Sequence, residues 1–380
     1  MSFMNIAVFA GSAATATAAI CALTPRAFPS EARLDKLEDW QLELLIERFG
    51  WNTNSFLLHY GGYLFFKPFG DWEMGVVPYV ATSRALVVAG DPLCRSDLQW
   101  EALELFRNFA QEKNHQVFIL PASERLAADA EVHGFGKLVV GTEAQFDPVT
   151  WVPRGDPGKP VRWSVNKARR GGVSAELYFP GQVRCPEVET AIAEFADRWR
   201  HERKINPLGY LVSVDPLNRV EDKLFVTAWF EGKLTAFLAA SPIYTREGWY
   251  LEDIIRLKST PAGASELLIT TMLDYLRVSG CRFATLGTAP LVGVESQRDY
   301  PVIRWALRLI YQHMNRFYNF RGLHHFKSKF RPTFEEHNYA LFSPAKLNPS
   351  AIFTLLEVFE PGGLWGVLKG KLTKKAKGRS

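Results

Sequence analysis

A Pro/Gly-rich stretch at residues 153–160, followed at once by the acid-free run RWSVNKARRGG at 162–172, divides this chain into two segments with the same rhythm. Clusters of proline and glycine punctuate secondary structure, and strands and helices alternate on both sides of this one. Before it, residues 34–49 read as a helix in which Leu37, Trp40, Leu42, Leu44, Leu45 and Ile46 share a broad apolar face. Residues 55–66 read as strand with Gly61-Gly62 as a turn, 76–88 as further strands closed by Gly90-Asp91-Pro92, 98–113 as an amphipathic helix, 116–120 as a strand, 124–133 as a short helix and 137–146 as a strand. After it come a helix at 188–200, strands at 223–230, 233–243 and 247–256, a helix at 266–279, a strand at 283–287, a helix at 301–315 and a late strand at 339–342. Glu231-Gly232 joins the first two of those strands as a hairpin. The expected class is α/β (α+β), with units at 34–152 and 173–345, a linker with a basic helix at 153–172, and terminal segments at 1–33 and 346–380.

Composition bounds the alternatives. With 47% apolar and 22% charged residues among 380, the chain is neither intrinsically disordered, nor collagenous, nor a polytopic membrane protein. The net charge of +5 is uneven: Lys369, Lys371, Lys374, Lys375, Lys377 and Arg379 lie in an acid-free C-terminal run, and removing these six leaves −1. Four cysteines, Cys21, Cys94, Cys185 and Cys281, lie far apart with no metal-ligand spacing, as expected of buried thiols in a reducing compartment. The uncharged run at 6–23 is near the minimum length for a membrane span, but it lacks the basic flank of a secretory signal; it reads as a weak anchor, a non-spanning helix or a leader. Apolar and aromatic residues at 352–368 beside the lysines read either as an interfacial anchor on an anionic membrane surface or as a packed helix with a solvated tail. The expected location is cytoplasmic, peripheral or weakly anchored at the membrane.

The order of elements in 223–342 is that of the GNAT-type acyltransferase fold, in which glycine amides before the central helix hold the pyrophosphate of coenzyme A. Here the turn at 257–265 carries only Gly263, and Pro261 removes an amide donor, so acetyl-CoA is not expected. Walker, dinucleotide and nucleophile-elbow motifs are absent, and His324-His325 has no third ligand at metal spacing, so no metal is expected.

Seven words then occur in order: Gly90-Asp91-Pro92; Gly134-Phe135 leading into Val140-Gly141-Thr142-Glu143-Ala144; RWSVNKARRGG; ERKINPLG; Asp253-Ile254-Ile255-Arg256; LGTAPLVG; and FYNFRGLHHFKSKFRP. Over roughly residues 40–345 this set resembles the catalytic domain of the phosphatidylglycerol lysyltransferase (MprF-like) family. The resemblance implies two tandem GNAT-like folds joined by the basic helix. It also implies a tunnel that receives the acceptor end of aminoacyl-tRNA from one side and a lipid headgroup from the other, and an aminoacyltransferase that esterifies a lipid hydroxyl. Aminoacyl-tRNA is then a co-substrate and no cofactor is implied. Two alternatives stand beside it: tRNA-dependent transfer to a peptidoglycan precursor or small molecule, and a non-catalytic lipid- or RNA-binding module.

The chemistry is attack by an acceptor hydroxyl on an activated ester, so the site must hold the aminoacyl ammonium, orient the hydroxyl and stabilise an oxyanion. Asp253 and Arg256 match the family's Asp-x-x-Arg; the resemblance implies that Asp253 pairs with the ammonium and that Arg256 contacts the terminal adenosine or phosphate. Glu143 matches an acidic residue that positions donor or acceptor, and Lys327 is assigned to phosphate contact. Lys329, His325, Tyr318 and Glu202 are assigned to substrate binding, with His325 also a candidate general base. If HFKSKF is extended, Lys327 and Lys329 share one face. Families of this kind carry Arg-Arg-Tyr-Lys where this chain has His324-His325-Phe326-Lys327, so two fixed charges are missing near the acceptor. Arg162, Lys167, Arg169 and Arg170 are candidates for neutralising tRNA phosphates.

Overall fold

A computed structural model describes residues 37–203, 215–290 and 320–345. The N-terminal half contains α1 (Asp39–Phe49), β1 (Leu64–Phe66), β2 (Gly75–Ala81), β3 (Ala85–Val88), β4 (Leu93–Cys94), α2 (Gln99–Glu112), β5 (Gln116–Ala122), α3 (Glu124–Ala127) and β6 (Gly136–Phe146). Helix α4 (Gly155–Arg170) leads into the C-terminal half: β7 (Ser174–Tyr178), α5 (Pro186–Arg203), β8 (Leu224–Phe230), β9 (Lys233–Ile243), β10 (Gly248–Arg256), α6 (Ala264–Val278), β11 (Ala284–Pro290), α7 (Phe320–Ser328) and β12 (Phe334–Ser343).

The described strands form one mixed α/β sheet that runs through both halves in the order β1-β2-β3-β5-β12-β6-β11-β10-β9-β8-β7, with β4 attached to β2. The halves exchange strands at its centre. β12, late in the chain, inserts between β5 and β6, while β6 pairs on its other edge with β11. The sheet is therefore continuous across the Pro/Gly-rich segment. Each half buries both faces of its share. One face of the N-terminal half packs Leu45, Ile46 and Leu58 against Val76, Val87 and Phe342. The other packs α2 through Leu103, Phe106 and Phe109, spaced three apart, against Phe66, Tyr79 and Ile119. In the C-terminal half, α4 and α6 cover one face through Val161, Val165, Leu268 and Met272, and α5 covers the other through Ile192, Phe195 and Trp199.

Three segments fold differently from expectation. Residues 56–60 form a short 3₁₀ helix rather than strand. Phe56, Leu57 and Leu58 are buried consecutively there, and so short an apolar run carries no periodicity to separate the two. The Pro/Gly-rich stretch is the first part of α4 rather than a loose linker. Pro157 sits in the first turn, where no intrahelical amide partner is needed. A β-carbon on Gly158 would lie 2.3 Å from the Pro153 carbonyl carbon, so only glycine permits this packing. Finally, HFKSKF is not extended: it lies on α7 and the turn that ends it. The segments 1–33 and 346–380 and the helix expected at 301–315 lie outside the described residues.

Candidate active site where the sheet opens

The parallel strands β10 and β11 pair only at Trp249–Ala284 and Tyr250–Thr285. Past that point both are irregular: β10 bulges against β9 between Leu251 and Asp253, and β11 shifts against β6 between Thr285 and Thr288. Bulges end pairing and re-aim side chains, so the sheet opens here. Gly287 makes the kink in β11 with φ +71°, and a β-carbon there would meet the Tyr250 ring at 2.5 Å.

The bulge in β10 also resets which residues face which side. Leu251 and Ile254, three apart, both belong to the core under α4 and α6, whereas Ile255 faces the core under α5. Asp253 therefore faces the α5 side, and Glu252, at the bulge, faces the same way. Tyr60 Oη donates to Glu252 Oε1 at 2.7 Å, and the fully buried Lys223 donates to Tyr60 Oη at 2.8 Å and lies 4.0 Å from Glu252 Oε2. Asp253 is buried with Oδ2 unpartnered. Burial pushes its carboxyl well above the usual carboxylate range, the Glu252 charge pushes it further, and Lys223 opposes both. Arg256 is exposed and lies on the opposite face of the strand from Asp253. Asp253 and Arg256 thus do not point into one pocket, because the strand alternation after the bulge separates residues three apart.

A second buried constellation lies on the other side of the opening. On β6, Glu143 stands beside Thr288 of β11 and Glu336 of β12. Asn338 Nδ2 donates to Thr288 Oγ1 at 2.7 Å and to Glu143 Oε2 at 3.5 Å, leaving Glu143 Oε1 buried without a partner. Lys327 comes down from α7, and its Nζ donates to the carbonyls of Gly287 and Thr288, both at 2.9 Å. Burial lowers the Lys327 amine to about 7, with Glu143 pulling the other way, while burial raises the Glu143 carboxyl. Gln145 Nε2 donates to Glu336 Oε2 at 2.6 Å, and Arg246 donates to Gln145 Oε1 at 3.4 Å while stacking over Trp51 and Phe283.

The remaining expected residues scatter. Lys329 donates to Glu266 Oε1 at 2.6 Å and Ser164 Oγ at 2.8 Å, tying the end of α7 to α6 and α4. His325 is exposed on α7, and Glu202 is exposed near the end of α5. Arg162, Lys167, Arg169 and Arg170 are all exposed on α4; Arg162 also donates to the carbonyls of Pro153 and Gly155. Tyr318 lies outside the described residues. Phosphate contact, the role expected of Lys327, does not match a buried amine that spends two donors on backbone carbonyls. Sequence reasoning missed Tyr60, Lys223, Glu252 and Asn338. Of these only Glu252, an acid next to another acid at a strand end, gave a signal. Among the described residues, no group of three or more potential ligands is placed to hold a metal ion, and no helix is long and apolar enough to cross a membrane.

Residues 52–342 match the family model described as phosphatidylglycerol lysyltransferase, C-terminal. The phosphatidylglycerol lysyltransferase of Staphylococcus epidermidis is 25% identical over 305 residues, covering 77% of this chain and 34% of that protein. The enzyme of the same name from Staphylococcus aureus is 26% identical over 309 residues, covering 79% and 35%. The chain thus spans about a third of the length of the curated relatives it matches. Among solved structures, L-PGS from Bacillus licheniformis aligns with a TM-score of 0.72 at 20% identity, covering 84% of this chain and 95% of that one. A C-terminal domain assigned to a lysylphosphatidylglycerol synthetase from Agrobacterium fabrum aligns with a TM-score of 0.69 at 20% identity, covering 83% and 94%. These two structures share the fold described above.

Proposed function

Because the chain belongs to the phosphatidylglycerol lysyltransferase C-terminal family, we propose that it moves an aminoacyl group from aminoacyl-tRNA to a hydroxyl of a phosphatidylglycerol-like lipid at an anionic membrane surface. The observation that carries this reading is the Lys327 amine. An ammonium has three protons, and two are committed to the carbonyls of Gly287 and Thr288. With the amine lowered to about 7, the fourth tetrahedral position alternates between a proton and a lone pair near neutral pH. A general base needs such a position, and the open Oε1 of the neighbouring Glu143 is placed to hold the incoming group.

The step is a transesterification. The lipid hydroxyl oxygen bonds to the aminoacyl carbonyl carbon and its proton passes to Lys327. The ammonium so formed offsets the charge of the tetrahedral intermediate. The bond to the terminal ribose oxygen then breaks, and that oxygen takes the proton back. Asp253, with an open buried oxygen, receives the aminoacyl ammonium in this scheme, and the incoming cation ionises it. Arg256, on the solvent side of β10, contacts the tRNA backbone, as do Arg162, Lys167, Arg169 and Arg170 on α4.

The reading is tested by incubating the full chain with labelled aminoacyl-tRNA and phosphatidylglycerol vesicles. Label should enter the lipid extract and should be lost when the tRNA is digested with RNase first. Lipid labelling that survives RNase, or label that never enters the lipid, overturns the proposal.

A further inference from the structure

Helix α4 turns its apolar side into the fold and a cationic side to solvent. Val161, Val165 and Ala168 belong to the core shared with α6. On the outside, Lys159, Trp163, Lys167 and Arg170 follow one another at helical spacing along a single exposed stripe. The acid of this helix is Asp156 in the first turn, far from the basic last turn. In the middle of the stripe, Trp163 is 57% exposed. Lys167 Nζ lies 5.0 Å from the Trp163 ring centroid and steadies one side of the ring by a cation–π contact.

A tryptophan this open on a helix whose other exposed large side chains are cations suits a partner that is anionic and flat. Duplex nucleic acid supplies phosphates but keeps its bases stacked inside. A membrane surface supplies anionic headgroups, but an interfacial helix must also lower an apolar face into the acyl boundary. On α4 that face is already buried in the core, and Trp163 is the one large hydrophobic side chain the helix exposes. Single-stranded nucleic acid offers both phosphates and free base faces, and an aromatic ring in a cationic groove is how proteins hold it.

Resting on the aminoacyl-tRNA reading above, we propose that Trp163 is a stacking platform for an unpaired base of the single-stranded 3′ end of the RNA, set within the cationic stripe of Lys159, Lys167 and Arg170. The cations hold the backbone of any RNA, and the indole selects for an end whose bases are free. Trp163 is thus a binding residue that tells a single-stranded terminus from a blunt duplex.

The test measures binding of the full chain to two synthetic RNA hairpins with the same stem, one blunt and one with a four-nucleotide single-stranded 3′ overhang. The unaltered protein should bind the overhang hairpin more tightly. Trp163→Ala should weaken overhang binding by about 5- to 100-fold, the range of one lost base stack, and leave blunt binding unchanged. Trp163→Phe should retain overhang binding within about threefold, because the ring remains. Lys167→Gln with Arg170→Gln should weaken both hairpins and flatten the dependence of affinity on salt. Equal loss on both hairpins for Trp163→Ala, or no loss on either, overturns the stacking role while leaving the tRNA reading intact. If Trp163→Ala instead weakens binding to phosphatidylglycerol vesicles and spares the overhang hairpin, the stripe is a membrane contact and the proposal fails. If the unaltered protein binds neither hairpin, the aminoacyl-tRNA reading falls and this inference falls with it.

Discussion

Tyr60 of the N-terminal half donates its hydroxyl proton at 2.7 Å to Glu252 Oε1 of the C-terminal half, 192 positions away in the chain. The same hydroxyl accepts from Lys223, whose ammonium is fully buried. One phenol thus joins a cation and a carboxylate where water has been excluded. Tyr60→Phe should cost about 1–3 kcal/mol, since it leaves a carboxylate oxygen without its donor. Lys223→Met should cost more, about 3–5 kcal/mol, because it leaves the buried Glu252 carboxylate without its counter-charge. Urea unfolding of both variants checks the order; a Lys223→Met protein as stable as the parent would show that the cluster is not ionised.

Lys327 should set the pH dependence of transfer. If its neutral form takes the acceptor proton, kcat/KM should rise with pH through about 7 and then level. Lys327→Arg keeps the positive charge but cannot lose a proton near neutrality, so it should abolish transfer, by about 100-fold or more. The stability sign can be checked separately. An amine lowered on folding binds fewer protons in the native than in the unfolded state between about 7 and the ordinary lysine value, so its burial cost is full below about 7 and fades as pH rises through that window. The stability gap between Lys327→Met and the parent should therefore move in favour of the parent as pH is raised from 6 to 10, two pH values chosen to span about that window. An unchanged gap would mean the amine titrates normally.

Asp253→Asn should separate function from folding. The native carboxyl is raised, so the folded state holds its proton where the unfolded state has released it, and stability declines as pH rises from the ordinary aspartate value through the raised one. Asparagine carries no such titration. The variant should match the parent in acid below the ordinary aspartate value, gain on it as pH rises through the raised one, and lose aminoacyl transfer throughout. Retained transfer would remove Asp253 from ammonium binding.

Gly287→Ala tests the kink that supplies carbonyls to Lys327. Its φ of +71° is costly for alanine, and the new methyl would meet the Tyr250 ring at 2.5 Å. A loss of about 1–3 kcal/mol in stability is expected, together with a shift of the rising limb of the pH–rate profile, because the carbonyls move relative to Nζ. A stable variant with an unshifted limb would detach Gly287 from the amine.

Much of the fold was legible because its long elements carry clear periods. The amphipathic spacing in α2 and α6, the hairpin at Glu231-Gly232 and the strands around it stand where the pattern put them. The site was less legible for physical reasons. Asp253, Glu143 and Lys327 were each singled out, and all three are buried at the opening of the sheet. What a linear pattern does not contain is the bulge at Glu252, which puts Leu251 and Ile254 on one face and Glu252 with Asp253 on the other; the separation of Asp253 from Arg256 follows from strand alternation alone. Nor does it contain the burial of Lys223, which reads on paper as an ordinary charged residue at the start of a strand. Lys329 sits two residues from Lys327, yet the end of α7 sends one amine to backbone carbonyls and the other to Glu266. Such partners come from elements far away in the chain, and no local window reports them.

The crossing of β6 and β12 has a consequence for how the chain matures on the ribosome. When the N-terminal half emerges, β5 and β6 are made but the strand that lies between them, Phe334–Ser343, is still nearly two hundred codons from synthesis, since β6 ends at Phe146. Until then the β5 edge of the nascent sheet is unpaired and β6, whose partners β11 and β12 are both unmade, has no strand beside it; unpaired edges of this kind recruit strands from other chains. Only once Phe334–Ser343 has been made is the gap filled, and the same event joins the second half to the first. Completion of the N-terminal sheet and assembly of the opening that holds Glu143 and Lys327 are therefore a single late step, so a truncated product would expose sheet edges without forming the site.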